Sequence, residues 1–141
     1  MNDVVVHKFG GSCLRDSSDL ETIAEIINAQ AEKTVIVVSA LWGVTDRLLR
    51  AANEPRYATR LVSDLKKQHS RFSPLIEQSI LAEKYNNVFT GIEKSLSNLS
   101  TNPDSYVDVN TLLAAGERLS ALVVANELRK KEMDAYPVGS E

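Results

Sequence analysis

Lys8 is the first residue of the chain whose type and position indicate chemistry. It lies near the end of an apolar, β-branched run that stops at Phe9, and Gly10, Gly11 and Ser12 follow at once. Adjacent glycines expose backbone amides with no Cβ in the way, so the segment can hold phosphate oxygens while the Lys8 ammonium neutralises them. Neither G-x-x-x-x-G-K-[ST] nor G-x-G-x-x-G is present, so a nucleotide site here would be of another kind. A solvated lysine before a tight turn is an equally good interpretation of this pattern alone.

A second group of hydroxyl residues follows another apolar run. Ser39 comes directly after Thr34–Val38, and Gly43 and Thr45 stand a few residues later. The carboxyl ends of parallel strands meet at the edge of a sheet where ligands bind, so Ser39 and Thr45 are expected on the same edge as Lys8. With the Gly43 amide, their hydroxyls can donate hydrogen bonds to a carboxylate near a helix start. A plain serine turn is the alternative, and it would be favoured if Lys8 were not nearby.

A glycine interrupts the last long helical pattern of the chain. Gly116, followed by Glu117, costs that helix about 1 kcal/mol relative to alanine. Such a glycine often allows another backbone or a ligand to approach closely. Glu117 would then accept a hydrogen bond from a cationic amino group. Taken alone, the local sequence favours the commoner case, a solvated glutamate on a helix.

The first third of the chain predicts the elements that position Lys8 and Ser39. Asp3–Phe9 predicts a buried strand, and Thr34–Ser39 predicts a strand covered on both faces. Between them, Ser18 to Glu21 fits a capping box that opens a helix. The apolar stripe of that helix consists of Leu20, Ile23, Ala24, Ile27 and Ala31. The order strand, helix, strand predicts a right-handed parallel βαβ unit.

The middle of the chain is helical by periodicity. A short helix is predicted from Gly43 to about Ala52, and further helices fill Tyr57–Leu99. Breaks in that region are predicted at Pro74, at Asn86-Asn87 and at Gly91.

The end of the chain predicts a loop, a helix and a strand. After a loop at Asn98–Ser105, Asp108 is predicted to cap a long helix that ends near Lys131. Asp134–Val138 is predicted as a third strand, placed toward a sheet edge by Pro137. The whole pattern is α/β, with an all-helical insertion after the second strand.

Composition limits the classes of function. The chain has 141 residues, a formal net charge of -3 and a sequence pI near 5.4, which argues against a primary role on nucleic acid or an anionic membrane. Its apolar stretches, such as Val35–Val38, are far shorter than the ~20 residues of a transmembrane helix. The N-terminus does not resemble a secretory signal. Cys13 is the single cysteine, so no internal disulfide is possible and a cytoplasmic location is expected.

Three segments carry a resemblance to aspartokinases. Val6–Leu14 resembles the family's signature at every position: an apolar residue, any residue, Lys, Phe or Tyr, two glycines, Ser or Thr, Ser or Cys, and an apolar residue. Val37–Thr45 resembles a second block of the family, and Gly116–Ser120 a third. The blocks occur in family order and span nearly the whole chain. Cys13 stands where the signature allows cysteine, which favours a packing role.

The resemblance implies a fold and an activity. The fold would be the parallel-sheet, three-layer amino acid kinase fold, with residues 1–141 as the N-terminal, amino-acid-binding half of its kinase domain. The activity would be ATP-dependent phosphorylation of the L-aspartate side chain, with Mg²⁺, at the first step toward lysine, threonine and methionine. The nucleotide-holding half and the regulatory ACT domains of the family resemble nothing in this sequence. We therefore expect an inactive fragment of an enzyme that is a homo-oligomer at full length.

The resemblance also implies roles for individual residues. Lys8 would be catalytic, stabilising charge on the phosphoryl group in transfer. Together with Lys8, the residues against the phosphates would be Phe9, Gly10, Gly11 and Ser12. The residues that hold aspartate would be Ser39, Thr45 and Glu117, with Glu117 facing the α-ammonium group. No metal ligand is assigned, and His7 and His69 are interpreted as structural.

Two alternatives stay open from the sequence. The chain could belong to another amino acid kinase, one that acts on glutamate or an acylglutamate. The complete signature and the Gly116–Ser120 block favour aspartate instead. It could also be a non-catalytic module that binds an amino acid, although a mere binder has no need of the Lys8 cation.

Overall fold

The computed structural model describes residues 3–29 and 33–139. Within them, two strands, five α-helices and two short 3-10 turns follow one another along the chain. The strands and helices are β1 (Val4–Phe9), α1 (Ser17–Asn28), β2 (Lys33–Val38), α2 (Val44–Asn53), α3 (Pro55–Phe72), α4 (Ala82–Thr101) and α5 (Tyr106–Lys130). The 3-10 turns are Gly11–Cys13 and Ile76–Gln78. The predicted α/β class and the helical insertion after the second strand are confirmed.

The two strands form a parallel pair, as predicted. Val4 lies opposite Lys33, and Phe9 lies opposite Val38. Burial alternates along both strands, and the valines of one face are about half exposed: Val4 56%, Val6 63%, Val35 49% and Val37 45%. The prediction that β2 is covered on both faces is therefore wrong for the described residues. A β-branched run reports strand propensity, whereas covering a second face requires another layer of structure.

Helix α1 begins earlier than the sequence pattern predicts. Its N-cap is Asp16, whose carboxylate accepts hydrogen bonds from the Ser18 and Asp19 amides, while the Asp19 carboxylate accepts from the Asp16 amide. The predicted box from Ser18 to Glu21 is wrong because the Asp16 and Asp19 pair occupies an overlapping frame. A carboxylate is the stronger acceptor at the positive end of a helix. Hydrogen bonds from Ser18 hold the pKa of Asp16 below its usual value.

The helical insertion follows its predicted outline but is less interrupted. Pro74 lies in the break between α3 and α4, as predicted. Asn86-Asn87 and Gly91 lie inside α4, so the breaks predicted there are wrong. The burial of Tyr85, Phe89 and Ile92 along one face of α4 explains the continuity, since packing outweighs the low helix propensity of a few positions.

The last helix also starts before its predicted cap. Ser105 is the N-cap of α5 and accepts from the Asp108 amide, while the Ser105 hydroxyl donates to the Asp108 carboxylate. Asp108 thus completes the cap from the first turn, and the predicted loop at Asn98–Ser105 shrinks because α4 runs to Thr101. Helix α5 packs against β2 and against all four other helices. Its central position is what brings its side chains to the edge of the sheet.

No third strand forms over the predicted Asp134–Val138. The chain turns at Glu132, which has a φ of 63°, and continues without regular structure to residue 139. Its backbone groups are used locally: the Ala135 amide donates to the Met133 carbonyl, and the Arg129 guanidinium donates to the Ala135 carbonyl. This segment and β2 line a cavity of about 590 Å³. The segment therefore lies beside β2 without forming a ladder with it.

Candidate functional site

Lys8 lies at the carboxyl end of β1, as predicted. It is opposite Val37 in the sheet, and it is exposed while its neighbour Phe9 is buried. The alternation assigns Lys8 to the open face of the sheet, together with Val6. No residue of the described ranges forms an ion pair or a hydrogen bond with its ammonium. The Lys8 charge is therefore available to a ligand at the edge of the sheet.

The glycine turn after β1 is compact and anchored. The Cys13 amide donates to the Gly10 carbonyl and the Leu14 amide donates to the Gly11 carbonyl, which forms the 3-10 turn. Leu14 is fully buried and fixes the end of the turn in the core. A Cβ built on Gly10 would meet no described atom within 4 Å, so this backbone is open to a ligand. Ser12 is exposed on the same turn.

The loop after β2 is tied directly to the glycine turn. The Ser39 amide donates to the Phe9 carbonyl at 3.0 Å, and the Trp42 amide donates to the Leu14 carbonyl at 3.0 Å. The two loops pack closely, since a Cβ on Gly11 would lie 3.3 Å from the Ala40 carbonyl oxygen. The backbone thus fixes Ser39 next to the end of β1.

Helix α2 starts at the same edge without a side-chain cap. Its N-cap is Gly43, whose φ of +76° is the left-handed conformation that glycine adopts without strain. Thr45 is exposed in the first turn of the helix. The Val44 amide donates to the Leu41 carbonyl, but no side chain caps this end, so the Thr45 and Asp46 amides and the helix dipole are available to an anion.

Gly116 is the point at which α5 meets these loops. A Cβ there would lie 3.1 Å from Leu48 Cδ1, 3.2 Å from Ala40 Cβ and 3.3 Å from Val44 Cγ1. The groups that come close to Gly116, as predicted for this glycine, therefore belong to the loop after β2 and to α2. Glu117 follows immediately and is exposed.

Ala40 is the common neighbour of the three segments. Its carbonyl oxygen packs on Gly11, its Cβ packs on Gly116, and Ser39 precedes it in the chain. The structure thereby brings together the segments that carry Lys8, Ser39, Thr45 and Glu117. It does not place these four side chains in hydrogen-bond contact with one another among the residues described.

Ser120 belongs to this region and was not predicted as a site residue. It lies one turn after Gly116 on α5, is fully buried, and its hydroxyl has no hydrogen-bond partner among the described residues. The sequence feature that points to Ser120 is its position as the last residue of the Gly116–Ser120 block. Cys13 also differs from expectation, because its side chain is exposed rather than packed.

The two histidines occupy structural positions. His69 is fully buried, and its Nδ1 donates to the Leu65 carbonyl at 2.7 Å. Burial lowers the pKa of His69 to about 4. The His7 ring stacks on that of Phe9, with 6.2 Å between the ring centroids.

Residues 3–29 and 33–139 contain neither a metal-binding cluster nor a membrane-spanning helix. Within these ranges, no group of three or more His, Cys, Asp or Glu side chains is arranged to hold a metal ion. None of the helices described there is long and apolar enough to span a membrane.

The chain is similar to known proteins both in sequence and in structure. The sequence profile of the amino acid kinase family matches residues 3–141. The bifunctional aspartokinase/homoserine dehydrogenase 2, chloroplastic, of Arabidopsis thaliana is 37% identical over 55% of this chain and 9% of its own length. The E. coli aspartokinase III in complex with aspartate and ADP superposes with a TM-score of 0.80 at 22% identity, covering 94% of this chain and 30% of that chain. The Clostridium acetobutylicum aspartate kinase gives a TM-score of 0.65 at 23% identity, covering 90% of this chain and 29% of that chain.

The chain therefore spans under a tenth of the plant relative and about 30% of the two solved kinases. The structural likeness extends over more than nine-tenths of this chain in the E. coli case. The family match includes every segment that meets at Ala40. On this match, the chain belongs to the amino acid kinase family.

Proposed function

We propose that this chain is the amino-acid-binding part of an aspartate kinase, which transfers the γ-phosphoryl group of ATP to the side-chain carboxylate of L-aspartate. The product would be 4-phospho-L-aspartate. The observation that carries the proposal is the junction of three segments: Ala40, in the loop after β2, lies against Gly11 of the glycine turn and against Gly116 of α5, and Val44 at the start of α2 also lies against Gly116. These are the three segments that resemble the aspartokinase blocks.

The phosphate side of the reaction is assigned to the end of β1. Lys8 carries an ammonium with no partner among the described residues, and Gly10 leaves the adjacent backbone open. The proposed role of Lys8 is to stabilise the negative charge that spreads over the phosphoryl oxygens during transfer. Phe9, Gly11 and Ser12 complete the turn that lies against the phosphates.

The aspartate side is assigned to α2 and α5. The Thr45 and Asp46 amides of α2, with the hydroxyls of Ser39 and Thr45, suit a carboxylate because they are donors at a helix N-terminus without a side-chain cap. Glu117 suits the α-ammonium group of the amino acid, since it is an exposed carboxylate one residue after the Gly116 contact. Donors on one side and an acceptor on the other match the two charges of a zwitterion.

In the proposed reaction, an oxygen of the aspartate side chain attacks the γ-phosphorus. A new P–O bond forms, the bond to the β-phosphate oxygen breaks, and ADP leaves with that electron pair. The protein contributes position and charge rather than covalent chemistry. Mg²⁺, expected from the family, would neutralise phosphate charge, but no group of three potential ligands lies among the described residues, so no residue is assigned to it.

The test uses the full-length enzyme that the proposal implies. ADP release should be driven by L-aspartate and not by L-glutamate or N-acetylglutamate. Changing Lys8→Ala should lower kcat by orders of magnitude with a modest change in the KM for aspartate. A large rise in KM with kcat intact would reassign Lys8 to substrate binding. ADP release driven equally well by glutamate would favour the alternative of another amino acid kinase.

The 141-residue chain alone should show no aspartate-dependent ATP turnover, because it spans only about 30% of the solved kinases. Measurable turnover would contradict its assignment as the amino-acid-binding part. A non-catalytic binding module is the second candidate, and it predicts that Lys8→Ala in the full-length protein changes nothing. We also propose a homo-oligomeric full-length enzyme in a reducing compartment such as the cytoplasm, on the family resemblance and the single cysteine.

A further inference from the structure

A second polar cleft lies beside the loops of the candidate site. Its volume is about 570 Å³, which falls in the range of small-molecule pockets. It lies between the start of α1, helix α2 and the second half of α3. The charged residues that line it are Arg15, Asp16, Arg47, Asp64, Lys67 and Arg71. We propose that this cleft binds a phosphate-bearing anion at a site separate from the glycine turn.

The charge balance of the cleft favours an anion. Four cationic side chains face two carboxylates, and one of the two, Asp16, is engaged as the N-cap of α1. In the part of the chain that the structure describes, Arg47, Lys67 and Arg71 form no ion pair. Arg47 is also half-buried, and a partly desolvated guanidinium without an acceptor is costly. A bound oxyanion would supply the missing acceptor.

The spacing on α3 explains how this cleft is built. Asp64, Lys67, Gln68 and Arg71 stand at positions i, i+3, i+4 and i+7, so they lie on one face of the helix. Arginine forks and a lysine point charge are the side chains that bind tetrahedral phosphate oxygens most effectively. This face gives the second half of α3 a role that its helical periodicity alone did not indicate.

The cleft is joined to the candidate site through Trp42. The Gln68 side-chain amide donates to the Trp42 carbonyl at 2.9 Å, and the Gln68 Oε1 is buried without a partner among the described residues. On the other side of the cleft, the Arg15 guanidinium stacks over the Trp42 ring, 4.1 Å from its centroid. An anion that draws Arg15 away from the ring would change the surroundings of this indole. Trp42 is the only tryptophan of the chain, so its fluorescence reports on this cleft.

The test is a fluorescence titration of the 141-residue chain with sodium tripolyphosphate at constant ionic strength. The proposal predicts a saturable change in Trp42 emission. The double change Lys67→Gln with Arg71→Gln should raise the Kd roughly tenfold or more, since it removes two charge-assisted contacts. Both side chains are exposed, so the variant is expected to fold, and circular dichroism checks that it does.

The matched control removes the same charge elsewhere. Lys84→Gln with Lys94→Gln changes two exposed lysines of α4, which do not line the cleft, and should leave the Kd within about twofold. Equal weakening by both pairs would mean general charge attraction and would overturn the proposal. A signal that is lost in Lys8→Gln but kept in Lys67→Gln with Arg71→Gln would assign the anion to the glycine turn and would also overturn it. If the Trp42 emission does not change, calorimetry with tripolyphosphate shows whether the anion binds. An absence of saturable heat would reject the site.

Two further titrations identify which kind of phosphate compound the cleft binds. Orthophosphate and ADP are titrated separately against the unchanged chain and against the Lys67→Gln with Arg71→Gln variant. If the double variant binds both orthophosphate and ADP more weakly than the unchanged chain does, the cleft is a site for phosphate groups in general. If only ADP binding is weakened, the cleft is a nucleotide site. If the Kd values for tripolyphosphate, orthophosphate and ADP are all the same in the double variant as in the unchanged chain, the proposal is contradicted.

Discussion

Replacing Gly116 by alanine tests the packing on which the candidate site is built. In an isolated helix the change would stabilise by about 1 kcal/mol, because alanine has the higher helix propensity. At Gly116, however, the new Cβ would lie 3.1 to 3.3 Å from atoms of Leu48, Ala40 and Val44. Favourable carbon contacts are about 3.5 to 4.0 Å, and all three neighbours are buried and cannot move into solvent.

The expected result for Gly116→Ala is a net loss of stability. Overpacking of this kind costs about 1 to 3 kcal/mol, and the helix propensity of alanine returns about 1 kcal/mol. The free energy of unfolding should therefore fall by about 1 kcal/mol, and the Tm by roughly 3 °C. Because Ala40 can yield only by moving its backbone, the loop that carries Ser39 should move with it.

Gly91→Ala is the matched control. Gly91 lies inside α4, and a Cβ built there would meet no described atom within 4 Å. This variant should gain up to about 1 kcal/mol from helix propensity alone. Urea denaturation of both variants, followed by circular dichroism, measures the difference. If Gly116→Ala stabilises the chain as much as Gly91→Ala does, α5 does not make the close contact with Ala40 that is inferred from the position of Gly116.

Two further predictions concern His69 and Gly43. The folded state excludes the proton that an unfolded histidine binds, because burial lowers the pKa of His69 from 6.5 to about 4. Stability should be complete above about pH 6.5 and fall by about 3 kcal/mol as the pH drops toward 4. Urea melts across this range should show that slope, and a His69→Leu variant with the same slope would contradict its assignment. Gly43→Ala should lose about 1 kcal/mol although its Cβ has space, because of the +76° φ, whereas Gly43→Asn should lose less. Equal melting temperatures for the unchanged chain and Gly43→Ala would refute the role of that φ.

Local patterns predicted the elements of this fold well. The β-branched runs give β1 and β2, and the apolar periodicity gives the helices, since both signals depend on residues close together in the chain. The helix caps were harder to predict because two capping frames overlap at Asp16 and Ser18, and the charge of the carboxylate decides between them. The strand expected at Asp134–Val138 failed because a strand depends on a partner edge, and the segment instead satisfies its backbone locally.

The residues proposed for the candidate site stand out one by one in the sequence, but their arrangement does not. The glycine turn, Ser39, Thr45 and Glu117 stand out by type and by the family blocks. Their meeting point does not, because Ala40 is an ordinary alanine whose importance comes from packing on Gly11 and Gly116 at once. The orphaned Ser120 hydroxyl and the basic face of α3 were missed for the same reason, since burial and concavity are properties of the folded chain.

Calorimetric titration of the 141-residue chain with L-aspartate is the most direct test of the proposed amino-acid site. We predict saturable binding that is lost in Glu117→Gln and kept in Glu93→Gln, a control that neutralises an exposed glutamate of α4. L-Glutamate and N-acetylglutamate should give no comparable heat. Binding that survives Glu117→Gln, or an absence of saturable heat with aspartate, would contradict the proposed site.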